Sequence, residues 1–144
     1  LKELKGKTNL YSLKYEINGK VQEGKYSFIL ISNANRIAGI NNFYHDIKLD
    51  DDQFEVLFCS MKEYHQVAKS LIHLAKKDIS DIPGFEFYRT NHLKISFEKE
   101  IDKGFSIDGE EFQDKNKNFD IQLIRNVKIM VPCKNINKLF LDKE

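Results

Sequence analysis

The chain has 144 residues, enough for one hydrophobic core and too few to argue for two full domains; hydrophobic residues make up 41% and charged residues 31%, which excludes disorder over most of its length. A formal net charge of +1, with no block of five or more basic residues, lacks the electrostatic footprint of a nucleic-acid binder, so no nucleic-acid partner is expected. Cys59 and Cys133 stand in no metal-ligand spacing, and no apolar run approaches the roughly 20 residues that span a bilayer, so two reduced, buried thiols and a soluble, cytoplasmic chain are expected.

Leu1 to Lys5 reads as the tail of a helix, so the sequence is expected to be part of a longer protein. Tyr11, Leu13, Tyr15 and Ile17 alternate with polar residues at the period of a half-buried strand, and Asn18-Gly19 then supplies a tight hairpin turn. The returning arm runs from Lys20 towards Tyr26 to Ser32, whose apolar stretch predicts a central strand covered on both faces. Residues 33–42 read as irregular, with Gly39 as the pivot.

Glu55 to Cys59 predicts another strand. Ser60 with Glu63 three residues later has the form of a capping box, and Tyr64, Val67, Ala68, Leu71, Ile72 and Ala75 recur at helical spacing, with Lys76 and Lys77 favouring the C-terminal end. After Pro83-Gly84, further strands are expected from Phe85 to Tyr88 and from Leu93 to Phe97, followed by a turn at Asp102-Lys103-Gly104. Phe105 and Ile107 lead into Asp108-Gly109-Glu110, and alternation returns over Phe119 to Leu123 and Val127 to Val131 before Pro132. About nine strands and one long helix predict a mainly β fold, an antiparallel β-sandwich-like domain with one long α-helix.

Two places could carry chemistry. Asp108 and Glu110 lie two apart, so on a continuous strand they would share a face with Cα atoms roughly 7 Å apart, and glycine between them admits a turn or a close ligand approach. Neighbouring acids can tune one another towards a base, but an ordinary polar hairpin turn has the same residues. Asp50-Asp51-Asp52 concentrates hard oxygen ligands suited to magnesium or calcium, although Phe54 and Glu55 break the EF-hand pattern and such a run also serves as a solvated loop. His45, His65, His73 and His92 form no ligand pair, and no glycine-rich phosphate loop or G-x-S-x-G elbow occurs.

Taken in order, four segments resemble the C-terminal domain of the bacterial diacylglycerol kinase family of soluble lipid kinases. They are Ile29 to Asn33 with the glycine-bearing Ile37-Ala38-Gly39, Ile47 to Val56 around the acidic run, Phe105 to Glu110 as an I-D-G-E signature, and Val127 to Pro132. The resemblance implies residues 1–144 as a single β-rich domain, without the α/β nucleotide-binding domain whose Gly-Gly-Asp-Gly-Thr motif does not occur here. It implies Glu110 as the base that accepts a proton from a lipid hydroxyl attacking the γ-phosphate of ATP, with Asp108 supporting it. It also implies a structural Mg2+ held by the backbone carbonyls of Lys48 and Gln53 and the carboxylate of Asp51. Asp52 stands where the family usually has glycine and Ile47 where it has alanine, and the family's proline before this loop is missing. The expected partners are a lipid at a membrane surface, the chain's own nucleotide-binding domain, and a second copy in a homodimer. The isolated segment is expected to be inactive. Two other readings stay open, a two-carboxylate hydrolase and a non-catalytic β-sandwich interaction module.

Overall fold

The computed structural model describes residues 6–34, 48, 50–74, 79–101, 105–112 and 115–128. Within them the chain forms nine strands: β1 (Tyr11–Ile17), β2 (Lys20–Tyr26), β3 (Phe28–Ser32), β4 (Phe54–Cys59), β5 (Phe85–Thr90), β6 (His92–Phe97), β7 (Phe105–Ile107), β8 (Glu110–Phe112) and β9 (Asn118–Gln122). One helix, α1 (Tyr64–Leu74), and a single 3-10 turn at Ile79–Asp81 lie between β4 and β5. All strand pairs are antiparallel, in a four-stranded sheet ordered β2-β1-β6-β9, a three-stranded sheet ordered β3-β4-β5, and the β7-β8 hairpin. The expected mainly β, sandwich-like architecture is what the chain adopts.

The first hairpin follows from its turn chemistry. Asn18 and Gly19 take φ of 49° and 71°, the left-handed pair that matches strand twist and that asparagine and glycine tolerate. Leu13, Tyr15 and Ile17 consequently fall on one face and are buried, while Lys14 and Glu16 are exposed.

The returning arm departs from expectation. It breaks at Ser27, whose N–H and hydroxyl both donate to the Cys59 carbonyl, at 2.7 and 3.0 Å, and the chain crosses into the second sheet. The apolar run Phe28–Ser32 is an edge strand and only half-buried, not a central strand. The strand covered on both faces is β4, all six residues of which are buried.

Alternation along β4 divides the core. Phe54, Val56 and Phe58 pack between the sheets with Leu13, Tyr15, Ile17, Leu93 and Ile95. Leu57 and Cys59 face the other way, against Met61, Ile79, Ile82 and Phe85, with Val67 of α1 packed over them. Each such side chain contributes about 1.5–3 kcal/mol by burial, so β4 anchors both layers. Cys59 is buried with its thiol free, as expected.

The helix starts later than the capping box predicts. The Glu63 carbonyl accepts from Gln66 and Val67 at 3.0 and 3.3 Å, which makes Glu63 the N-terminal boundary residue, and its carboxylate pairs with His65 Nδ1 at 3.1 Å. Ser60 is used elsewhere, its N–H and hydroxyl reaching the Gly84 carbonyl at 2.9 and 3.3 Å. Tyr64, assigned to the apolar face, is 49% exposed. As described, α1 is 11 residues rather than a long helix, and Ala75, Lys76 and Lys77 lie outside the described residues.

At the far end, residues 123–128 are not in a strand, and Ile124 and Val127 are exposed. The rest of the strand expected over Val127 to Val131, the turn at Asp102-Lys103-Gly104, the Ile37-Ala38-Gly39 loop and Cys133 lie outside the described residues. Among the described residues no helix is long and apolar enough to cross a membrane.

Candidate functional site

Asp108 and Gly109 are not part of a continuous strand. They are the two-residue turn of the β7-β8 hairpin, with φ of 50° and 89°, a left-handed pair of the same kind as Asn18-Gly19. A strand-like shared face for Asp108 and Glu110 is therefore replaced by a reversal: Glu110 pairs directly with Ile107, and Phe105 with Phe112. Directly opposed residues of an antiparallel pair project to the same side, so Glu110 shares the hairpin face of Ile107, Phe105 and Phe112. Phe105 and Phe112 stack with centroids 5.9 Å apart, and Phe105 meets Phe119 of β9 edge-on at 5.4 Å, which fixes the hairpin against the four-stranded sheet. Asp108 and Glu110 are both exposed.

Beside the hairpin lies a cleft of about 760 Å³. Its walls come from β1, β2, β3, β6 and β9, and include Leu13, Phe28, Leu30, Ile95, Phe97 and Ile121, while the hairpin contributes Phe105 through Asp108. This accounts for the half-burial of β3, which forms one wall. Among the described residues the lining is mainly aliphatic and aromatic, with few hydroxyls and a single carboxylate, that of exposed Asp108. Such a cavity matches hydrocarbon by size and polarity and offers little to a hydroxyl-rich sugar, whose groups would lose their hydrogen bonds to water. Glu110 is not among the lining residues, although it shares the face of Ile107, which is. The apolar cleft is not legible in the sequence because its residues come from six strands spread along the chain. Their alternation signalled a sandwich interior, which is chemically the same pattern.

The acidic loop is organised around Asp51. Asp51 Oδ1 accepts from the Gln53 N–H at 3.2 Å, a local turn of the kind aspartate favours, and Oδ2 takes the terminal Nη2 of Arg89. Arg89 extends further: its Nε stands 3.4 Å from Glu55 Oε1, within ion-pair reach but outside hydrogen-bond geometry. Glu55 is fully buried, directly opposite Arg89 on β5 and Ser32 on β3. Burial pushes its carboxyl up to about 7, with Arg89 opposing and Asp51 reinforcing the rise. From the sequence Glu55 is a strand residue and a break in the EF-hand pattern, not a site residue. The missed signal was a charged residue within a continuous apolar strand, which at such a position is buried and needs a partner.

Asp52 has φ of 59°, so the residue that replaces glycine adopts glycine's left-handed conformation, which aspartate tolerates better than most residues. Its carboxylate pairs with Arg125 Nε at 3.3 Å. The implied magnesium ligands are thus brought together only in part. Asp51 and Gln53 are joined by a hydrogen bond, half-buried Lys48 is engaged in interactions of its own, and both Asp51 oxygens already meet internal donors. Among the described residues no three His, Cys, Asp or Glu side chains are gathered so as to hold a metal ion. A dication at Asp51 would have to share the carboxylate with Arg89, whose positive charge opposes it. Of the described histidines, His65 is exposed and pairs with Glu63 at 3.1 Å, and His92 pairs with Asp120 at 2.6 Å.

No family model matches the sequence, and no curated protein does. Solved structures do match. A Bacillus anthracis str. Sterne protein provisionally named a diacylglycerol kinase superposes with a TM-score of 0.60 at 18% identity, covering 81% of this chain and 38% of its own. A second structure from the same organism, under the same provisional name, gives 0.57 at 19% identity, covering 80% and 38%. The chain therefore spans well under half the length of these proteins. At this identity the likeness establishes fold, and the fold is that of the β-rich C-terminal domain of diacylglycerol kinase-like structures.

Proposed function

We propose that the chain is the lipid-binding, base-bearing part of an ATP-dependent lipid kinase that phosphorylates the hydroxyl of diacylglycerol or a related lipid. The observation that carries this reading is the apolar cleft of about 760 Å³ with Asp108 of the carboxylate turn on its lining. A long hydrocarbon chain enters the cleft, which leaves the polar end of the lipid, with its hydroxyl, beside the carboxylate turn. Glu110 takes the hydroxyl proton as the oxygen attacks the γ-phosphorus; the bond from that phosphorus to the β-γ bridging oxygen breaks, and ADP leaves. Asp108 orients and charges the site.

Phosphoryl transfer depends on positioning and neutralising the phosphates, and no sequence in residues 1–144 has the glycine-rich form that does so. Nucleotide binding, with the Mg2+ that accompanies ATP, belongs on this reading to an α/β domain outside residues 1–144, and these residues alone do not turn over. The lipid is met at a membrane surface, to which the protein binds peripherally from the cytoplasm.

The test is binding of a fluorescent long-chain fatty-acyl probe to the 144-residue chain. Saturable binding weakened several-fold by Ile107→Glu supports the reading, since Ile107 lines the cleft yet is 50% exposed and tolerates a charge without unfolding the core. A folded chain that binds no acyl probe contradicts it.

A further inference from the structure

We infer that Arg89 supplies the positive charge that holds the acidic loop, so that this loop closes without a divalent cation. The inference rests on the geometry of the loop and is independent of the lipid-kinase reading.

Asp51 is the only carboxylate that the resemblance offers as a metal ligand here, and neither of its oxygens is idle: Oδ1 accepts from the Gln53 N–H at 3.2 Å and Oδ2 is held by Arg89. A dication on the same carboxylate would stand beside a guanidinium that is always charged and would be repelled by it. Arg89 is well placed for the task. It projects from β5 directly opposite Glu55 and reaches past it to Asp51, so one cation serves two acids, one on the sheet and one on the loop. That arrangement ties residue 51 to the central strand β4 through β5, which is what a structural metal would otherwise accomplish.

Two further observations agree. The neighbouring acid, Asp52, also has an arginine beside it, Arg125 at 3.3 Å. Asp52 takes its left-handed φ of 59° beside that guanidinium. The planar fork matters: a lysine is a single point charge and spans two carboxylates less well.

The experiment compares the melting temperature of the 144-residue chain in EDTA and in 10 mM MgCl2, with KCl added to equalise ionic strength. The expected result is no change for wild type, a fall of several degrees for Arg89→Gln in EDTA, and partial recovery of that variant in MgCl2, as the freed Asp51 carboxylate accepts the metal. Should Arg89→Gln fail to fold, Arg89→Lys, which keeps the charge but not the fork, enters the same comparison. A wild-type chain that gains several degrees in MgCl2, with the gain lost in Asp51→Asn, overturns the inference. So does a folded Arg89 variant as stable as wild type in EDTA and indifferent to MgCl2.

Discussion

Tyr15 on β1 donates its phenolic hydrogen to Glu86 on β5 over 3.0 Å, a hydrogen bond that crosses from the four-stranded sheet to the three-stranded one. Tyr26 donates to the same carboxylate at 3.1 Å, and Tyr88 reaches it at 3.4 Å. Tyr15 also stacks on Phe58 with centroids 4.2 Å apart, so the polar contact caps an aromatic layer of the core. Burial pushes the phenols of Tyr15 and Tyr26 up, which keeps both protonated and able to donate.

Glu86→Ala removes the acceptor that the three tyrosines share and leaves their hydroxyls only one another, Tyr15 with Tyr88 at 3.2 Å and with Tyr26 at 3.5 Å. The expected loss is about 2 kcal/mol of folding stability, against about 1 kcal/mol for Glu86→Gln, which retains a carbonyl acceptor. Urea unfolding at pH 7 measures both, and an Ala variant within about 0.5 kcal/mol of wild type contradicts the role assigned to Glu86.

Glu55 predicts an unusual pH dependence. Its folded carboxyl is pushed up to about 7, chiefly by burial, whereas an unfolded glutamate titrates near 4.3. A raised folded value means that the native state holds the proton more tightly. The contribution is therefore fully present below about pH 4 and is lost as pH rises through about 7, about 4 kcal/mol in all. Glu55→Gln stays neutral and should fall less in stability between pH 5 and pH 8 than wild type does. Equal losses in the two proteins, measured by urea unfolding at both pH values, would count against a protonated Glu55.

The carboxylate turn separates conformation from charge. Gly109 has φ of 89° with open space around its Cα, so Gly109→Ala meets no clash and costs only the backbone strain, about 1 kcal/mol. Asp108 has φ of 50°, a conformation asparagine adopts readily, so Asp108→Asn should leave the melting temperature within about a degree while removing the charge from the cleft lining. A large loss of stability in Asp108→Asn would mean that the carboxylate holds the hairpin rather than serves a ligand.

Much of this was legible where local chemistry decides. Asn18-Gly19 specified its hairpin, and the Leu13, Tyr15, Ile17 alternation specified which face is buried. The order of motifs was enough to anticipate the fold shared with diacylglycerol kinase-like structures. Long-range choices were not legible. Phe28 to Ser32 has the composition of a central strand, yet β4 takes that place because Ser27 bonds to Cys59 and turns β3 to the sheet edge. Ser60 and Glu63 have the spacing of a capping box, but Gly84 claims the serine. Asp51 reads as a metal ligand from its acidic neighbours, and nothing near it in sequence announces that Arg89, 38 residues later, reaches it.

The central claim is that Glu110 accepts the proton of a lipid hydroxyl during phosphoryl transfer from ATP. The measurement that tests it most directly is ATP-dependent phosphorylation of long-chain lipid alcohols by the longest natural polypeptide carrying residues 1–144, wild type against Glu110→Gln. The account predicts turnover in wild type and a loss of about 100-fold or more in the variant, with an unchanged melting temperature, since Glu110 is exposed and general-base removal has that scale. A Glu110→Gln protein that phosphorylates lipid at the wild-type rate, or a folded, ATP-binding wild type that transfers phosphate to no lipid alcohol, contradicts it.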